Sequence, residues 1–192
     1  MAANIEIEAK ALITKKEYEK IVKIYQGIET DEFDQTNYYI DTDKREIKNM
    51  GMGLRIRSIK GLLELTLKAP MAEGLLEKNQ SILIQDYKEL AYNNKFPSGN
   101  ISNFITMLGV DVKDLKIIAS LTTHRIEYKE GNSALSIDRN VYNGIVDYEL
   151  ELEGPSLEIV KNQLEEICLK NNIIYKDNKQ SKQARAMSTI NN

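Results

Sequence analysis

Ile5-Glu6-Ile7-Glu8-Ala9-Lys10-Ala11 is the stretch on which the fold turns. Successive side chains on a strand point to opposite faces, so Ile5, Ile7, Ala9 and Ala11 lie on one side and Glu6, Glu8 and Lys10 on the other. Taken alone, such a strand reads as solvated, with its apolar face on a core. Only its partners tell whether the charged face looks at water or at a ligand. A second strand of the same kind is Asp147-Tyr148-Glu149-Leu150-Glu151-Leu152-Glu153, in which four acids alternate with apolar or aromatic residues.

Between the two, strand signals dominate. Thr14-Lys15-Lys16-Glu17 has the form of a capping box, and Tyr18, Ile21, Val22 and Tyr25 follow at helical spacing, which predicts a helix over 15–26. Strands are expected over 32–41, 51–60 and 62–68, the last two joined by a tight turn at Gly61. Arg55 and Arg57 share a face, and Glu64, Thr66 and Lys68 oppose Leu63, Leu65 and Leu67. The extended run 75–84 has no readable facing. Short helices are expected over 86–93 and 100–108, parted by Pro97-Ser98-Gly99. Strand signal returns from Lys116, with Thr123, Arg125, Glu127 and Lys129 on one face in the run 121–129, and continues over 134–141, with Ser136 and Asp138 together. Pro155 opens a last helix over 157–171, whose stripe Leu157, Val160, Leu164, Ile167 and Cys168 can cover a sheet. The remainder reads as a polar tail whose one concentrated feature is Ser181-Lys182-Gln183-Ala184-Arg185, with Arg185 expected in solvent.

The 192 residues suit one domain, 1–192, with no repeat or linker. One histidine, His124, and one cysteine, Cys168, leave no His/Cys metal cluster and no internal disulfide. No basic segment followed by an apolar run opens the chain, and no apolar stretch approaches the roughly 20 residues that cross a bilayer, so the expected setting is cytoplasmic, without membrane contact. A formal net charge of -3 does not suggest a nucleic-acid partner.

About eight strands with few long helices predict an α+β fold around an antiparallel sheet, open or closed into a barrel. If it is closed with the charges inside, Lys10, Arg55, Arg57, Lys68 and Arg125 meet Glu6, Glu8, Asp138, Glu149 and Glu151 in one lumen, five bases against five acids. The helices 15–26 and 157–171 would then cover outward apolar faces, although they could also cover one face of an open sheet. Buried charges of both signs must stay hydrated or meet a ligand carrying both signs. A polyphosphate with divalent cations is such a ligand: Mg2+ prefers carboxylate and water oxygens, and arginine and lysine suit phosphate.

At this point the order of motifs becomes informative. Glu6-Ile7-Glu8-Ala9-Lys10 resembles the N-terminal ExExK signature of the CYTH superfamily, the triphosphate tunnel metalloenzymes. Tyr38-Tyr39-Ile40-Asp41, Leu54-Arg55-Ile56-Arg57, Leu65-Thr66-Leu67-Lys68, Arg125, Asp138, Glu149-Leu150-Glu151 and Ser181-Lys182 continue the resemblance in order. It implies an eight-stranded antiparallel closed β-barrel, a tunnel with a polar, charged interior and helices packed outside. It also implies a metal-dependent triphosphatase. Glu6, Glu8, Asp138, Glu149 and Glu151 would hold Mg2+ or Mn2+. Lys10, Arg55, Arg57, Lys68, Arg125 and Lys182 would hold phosphates, with Lys10 and Lys182 acting in catalysis; Arg185 is a weaker phosphate candidate, read first as a solvated tail residue. The expected substrate is inorganic triphosphate, then thiamine or nucleoside triphosphates; the alternatives are a class IV-type adenylate cyclase and a non-catalytic polyphosphate or nucleotide binder. A homodimer is left open. The cyclase branch resembles a pattern with a base two positions before Arg125, where this chain has Thr123, which disfavours cyclisation. His124 falls on the opposite face from Arg125 and reads as structural.

Overall fold

The computed structural model describes residues 3–71 and 75–190, with side chains described from Ile7 onward. The opening stretch forms two half-strands, β1 (Ala3–Glu6) and β2 (Glu8–Ile13), parted at Ile7. Then come α1 (Lys15–Tyr25), β3 (Asp31–Asp41), α2 (Glu46–Asn49), β4 (Gly53–Ile59), β5 (Leu62–Pro70), β6 (Leu75–Ile82), α3 (Ile84–Asn93) and α4 (Asn100–Met107). A 3-10 turn at Val112–Asp114 leads to β7 (Lys116–Glu130), β8 (Ser133–Tyr142), β9 (Ile145–Glu153), α5 (Leu157–Lys170) and α6 (Lys182–Ser188).

The sheet runs in the order β1-β6-β5-β4-β3-β7-β8-β9-β2. Its pairs are antiparallel, with β1 on β6 and β2 on β9. Both edges therefore fall on the one stretch 3–13, and through it the sheet returns on itself. Closure of this kind removes exposed edges. Counted as one interrupted strand, β1 and β2 make the expected eight. The hairpins are set by their turns. Ile59 pairs with Leu62 and Tyr142 with Ile145, leaving the two-residue loops Lys60-Gly61 and Asn143-Gly144. All four loop residues have positive φ (49°, 82°, 44° and 77°), the backbone that matches strand twist and that glycine adopts without cost.

Closure turns the apolar faces outward, and two coats of helices cover them. Ala9, Ala11, Ile137, Leu150 and Leu152 pack with Ile21 of α1 and Val160, Leu164 and Cys168 of α5. Leu54, Ile56, Leu65 and Leu67 pack with Ile47 of α2, Leu90 of α3 and Ile101 and Ile105 of α4. The short middle helices thus form the second coat. Burying each such side chain contributes about 1.5–3 kcal/mol. The Thr14 capping box is present, with Glu17 N donating to Thr14 Oγ1 at 3.3 Å and Thr14 N to Glu17 Oε2 at 2.7 Å. Cys168 is fully buried, and burial pushes its thiol up to about 11, which makes it an inert apolar filler. Among the described residues no helix is long and apolar enough to cross a membrane.

Two local expectations need correction. Pro155 lies outside α5, whose N-cap is Ser156 with its Oγ accepting from Ile159 N at 3.3 Å. The polar tail is not in solvent: Asp177 bridges to Ala11, Asn178 N donates to Lys10 O at 2.8 Å, and α6 follows with Arg185, Ala186 and Met187 buried. Ala186 and Met187 pack with Tyr39, Ala119, Leu121 and Tyr142.

Candidate active site

The inward faces of the strands bring charge together by register. Asp138 stands opposite Glu149, and Lys10 opposite Glu151. Asp138 and Glu149 are fully buried and Glu151 nearly so, and one carboxylate oxygen from each lies within 4.8 Å of the others. Three carboxylates so close and so dry persist only with cations among them. Arg125 grips Asp138 through two bonds, Nε to Oδ1 at 2.8 Å and Nη2 to Oδ2 at 2.7 Å, and reaches Glu151 Oε2 at 2.6 Å. Arg185 donates to both oxygens of Glu149 at 3.0 Å and from Nε to Asp147 Oδ2 at 2.8 Å. Lys182 Nζ lies 2.9 Å from Asp138 Oδ2, 2.6 Å from Glu149 Oε2 and 2.7 Å from Glu151 Oε1.

At Glu151, Lys182 and Lys10 burial opposes the charge, and the partners outweigh it. It pushes the Glu151 carboxyl up, but Lys182, Arg125 and Lys10 hold it well below the usual carboxylate range. Burial pulls Lys182 down, yet Asp138, Glu151 and Glu149 raise it above the ordinary lysine value. Lys10 is raised in the same way, against burial, by Glu8 and Glu151, with Glu8 Oε1 only 2.6 Å from its Nζ. Glu151, Lys182 and Lys10 therefore remain ionised at neutral pH.

Across the lumen stands a basic wall. Arg55 and Arg57 of β4 and Lys68 of β5 line, together with Glu8, Lys10, Arg125, Glu151 and Lys182, one cavity of about 420 Å³. Arg55 Nη2 and Lys68 Nζ share Glu77 Oε1, at 3.4 and 3.2 Å, and Arg57 Nε donates to Asn37 Oδ1 at 3.2 Å. Burial pushes the Glu77 carboxyl up, but Lys68 and Arg55 bring it below its ordinary value. Tyr39 also lines the cavity; burial raises its phenol in spite of Arg55 and Lys182, so it stays a neutral donor. Hard oxygen donors on one wall and fixed cations on the other suit a divalent ion with phosphate.

The anticipated residues are gathered, with two qualifications. The Glu6 side chain lies outside the described residues. Glu8 lines the cavity but pairs with Lys10 and is not one of the three converging carboxylates. Asp41 faces away, its carboxylate accepting Thr42 N, Ile47 N and Lys48 N at 2.8, 2.9 and 3.1 Å, which fixes the turn into β4. His124 is outside, its two ring nitrogens 3.1 and 3.0 Å from Glu32 and Asp34. Two participants, Glu77 and Asp147, escaped sequence reading, and a third, Arg185, was given the wrong surroundings. Glu77 did so because Leu75-Leu76 breaks the alternation of β6; its register opposite Lys68 would have found it. Asp147 read as one more strand acid, but it accepts from Asn140, Tyr142 and Arg185. Arg185, expected in solvent, is 5% exposed because its ion pairs, not an apolar stripe, bury it.

Residues 4–185 match the model of the CYTH domain family. A protein of Bacillus subtilis (strain 168) provisionally named a triphosphatase, YjbK, is 35% identical over 154 residues, 80% of this chain and 80% of that protein. A solved structure from Bacillus halodurans, provisionally described as an adenylate cyclase, has a TM-score of 0.87 at 34% identity, over 96% of this chain and 98% of that one. The structure of HpAC1 from Hippeastrum, a provisional adenylyl cyclase described as having a dominant triphosphatase activity, has a TM-score of 0.82 at 23% identity over 96% of both chains, a likeness of fold.

Proposed function

This chain belongs to the CYTH domain family, and on that premise we propose that residues 1–192 act as a divalent-metal-dependent hydrolase of triphosphate compounds, inorganic triphosphate first. The observation that carries the reading is one cavity of about 420 Å³ lined by Arg55, Arg57, Lys68 and Arg125 and by Glu8 and Glu151, with Asp138 and Glu149 buried beside Glu151. Asp138, Glu149 and Glu151, with Glu8 and Glu6, would hold the ion. Mg2+ or Mn2+ bound there would supply a Lewis acid for phosphate oxygens and for an attacking water. Arg55, Arg57, Lys68 and Arg125 would bind the non-bridging oxygens and stabilise the charge that develops on them as the terminal P–O bond breaks. Lys10 and Lys182, which line the same cavity, would act closest to the reacting phosphate. Orthophosphate and pyrophosphate would be the products. No side-chain nucleophile is required, which agrees with a buried cysteine and an outward histidine. The free, buried Cys168 is compatible with a cytoplasmic setting.

Adenylate cyclisation is the second reading, favoured by the Bacillus halodurans relative. Against it stands Thr123, fully buried with its hydroxyl donating to Asn140 Oδ1 at 2.6 Å, which leaves no cation at that position. The test is a panel of inorganic triphosphate, thiamine triphosphate, ATP and GTP with Mg2+ and with Mn2+, products identified. Orthophosphate release supports hydrolysis, pyrophosphate with a cyclic nucleotide supports cyclisation, and binding without turnover of any of the four overturns both.

A further inference from the structure

Lys182 occupies the place in which a metal ion would sit. Its ammonium is 2.6–2.9 Å from one oxygen each of Asp138, Glu149 and Glu151, the three carboxylates that converge within 4.8 Å. One ammonium thus faces three carboxylates at once, the place and the partners that a metal cation would take. An ammonium and a divalent ion cannot share that space, because like charges a few ångströms apart in a dry site repel strongly.

We propose that Lys182 is an internal substitute for the metal, a tethered cation that stabilises the carboxylates in the empty protein and must swing out when the ion enters. The inference rests on the metal reading above. Lys182 is the first residue of α6 and lines the same cavity of about 420 Å³ as Arg55 and Lys68, so there is room for its side chain to move. The helix need not leave. Arg185 stays bound to Asp147 and Glu149, and Ala186 and Met187 stay packed on Tyr39 and Tyr142. Once displaced, the ammonium faces the lumen, where a phosphate is its natural partner. The same lysine would thus serve carboxylates in the empty state and phosphate in the loaded one. Triphosphate, by offering that second partner, would help clear the metal site, so metal and substrate would bind in mutual support.

The test is Mn2+ binding to the full, metal-free chain without triphosphate, by electron paramagnetic resonance of free Mn2+. Lys182→Met removes the competing cation and should bind Mn2+ roughly tenfold more tightly than the unmodified chain, within the usual range of coupling between sites. Equal or weaker binding by the variant overturns the proposal while leaving the metal reading standing; no Mn2+ binding to either chain overturns the metal reading itself. Should the variant not fold without metal, the unmodified protein decides. Reductive methylation of Lys182, followed by mass spectrometry, should speed up several-fold on Mn2+ addition, and an unchanged or slower rate overturns displacement.

Discussion

The two halves of the barrel are built alike and charged differently. In both, apolar side chains face out under helices and polar ones face in. In the half made by β2 and β7–β9 the lumen charges are locked: Asp138, Glu149, Arg125 and Arg185 are all at most 7% exposed and joined by bonds of 2.6–3.0 Å. In the half made by β3–β6, Arg55 and Lys68 lean on a shared Glu77 at 3.2–3.4 Å. The first half is a preorganised frame, costly to disturb. The second is an adaptable cation surface whose contacts a phosphate can replace, since an anionic ligand offers several oxygens where Glu77 offers one.

The largest expected effect lies in the locked half. Glu149→Gln removes a carboxylate that Arg185, Lys182 and Asn178 all approach. It should reduce metal-dependent phosphate release at least about 100-fold, as loss of a preorganised electrostatic group does. It should also lower stability by about 3–5 kcal/mol, the usual cost of breaking a buried ion pair from one side. Phosphate release and urea unfolding check both; near-normal values would erase the distinction between the halves.

A change in the adaptable half should be milder and of a different kind. Lys68→Ala should raise KM for triphosphate roughly 10- to 150-fold, a loss of roughly 1.5–3 kcal/mol for a charged contact, while the urea midpoint moves little. A large stability loss would mean that this wall is as locked as the other.

The pH dependence of metal-free stability sharpens the comparison further. Glu151 and Glu77 both have folded-state values below those of the unfolded chain. Each therefore contributes stability that is present above the ordinary carboxylate value of 4.5 and is lost as pH falls through the lowered folded value. Glu151 is held lower, by three cations, so Glu151→Gln should flatten the acid limb of the stability curve more than Glu77→Gln. Lys10 has the opposite sign: its raised value adds stability below its ordinary value of 10.5, lost as pH rises through the folded one. The smallest effect is expected at His124→Gln, where exposed pairs with Glu32 and Asp34 are worth about 0–1 kcal/mol and turnover should not change.

Much of this was legible in the alternation of single strands. Glu8 and Lys10, Arg55 and Arg57, and Glu149 and Glu151 share faces because side chains two apart on a strand must. Glu77 was hidden, since two adjacent leucines give β6 no sidedness until its pairing with β5 supplies one. Arg185 was hidden for another reason: α6 has only the short apolar contact of Ala186 and Met187, too brief to read as a buried stripe, and Arg185 itself is buried by Asp147 and Glu149.

By itself, the amino-acid sequence determined which side chains share a face, where the hairpins turn and which charges are available, because these follow from local geometry and the chemistry of each residue. The tertiary structure decided the rest. Only the pairing of residues 3–13 at both edges makes the charged faces a lumen, and only the docking of α6 brings Lys182 among Asp138, Glu149 and Glu151. Both join residues more than 30 positions apart, at separations that no local preference encodes and that only long-range pairing and mutual burial can fix.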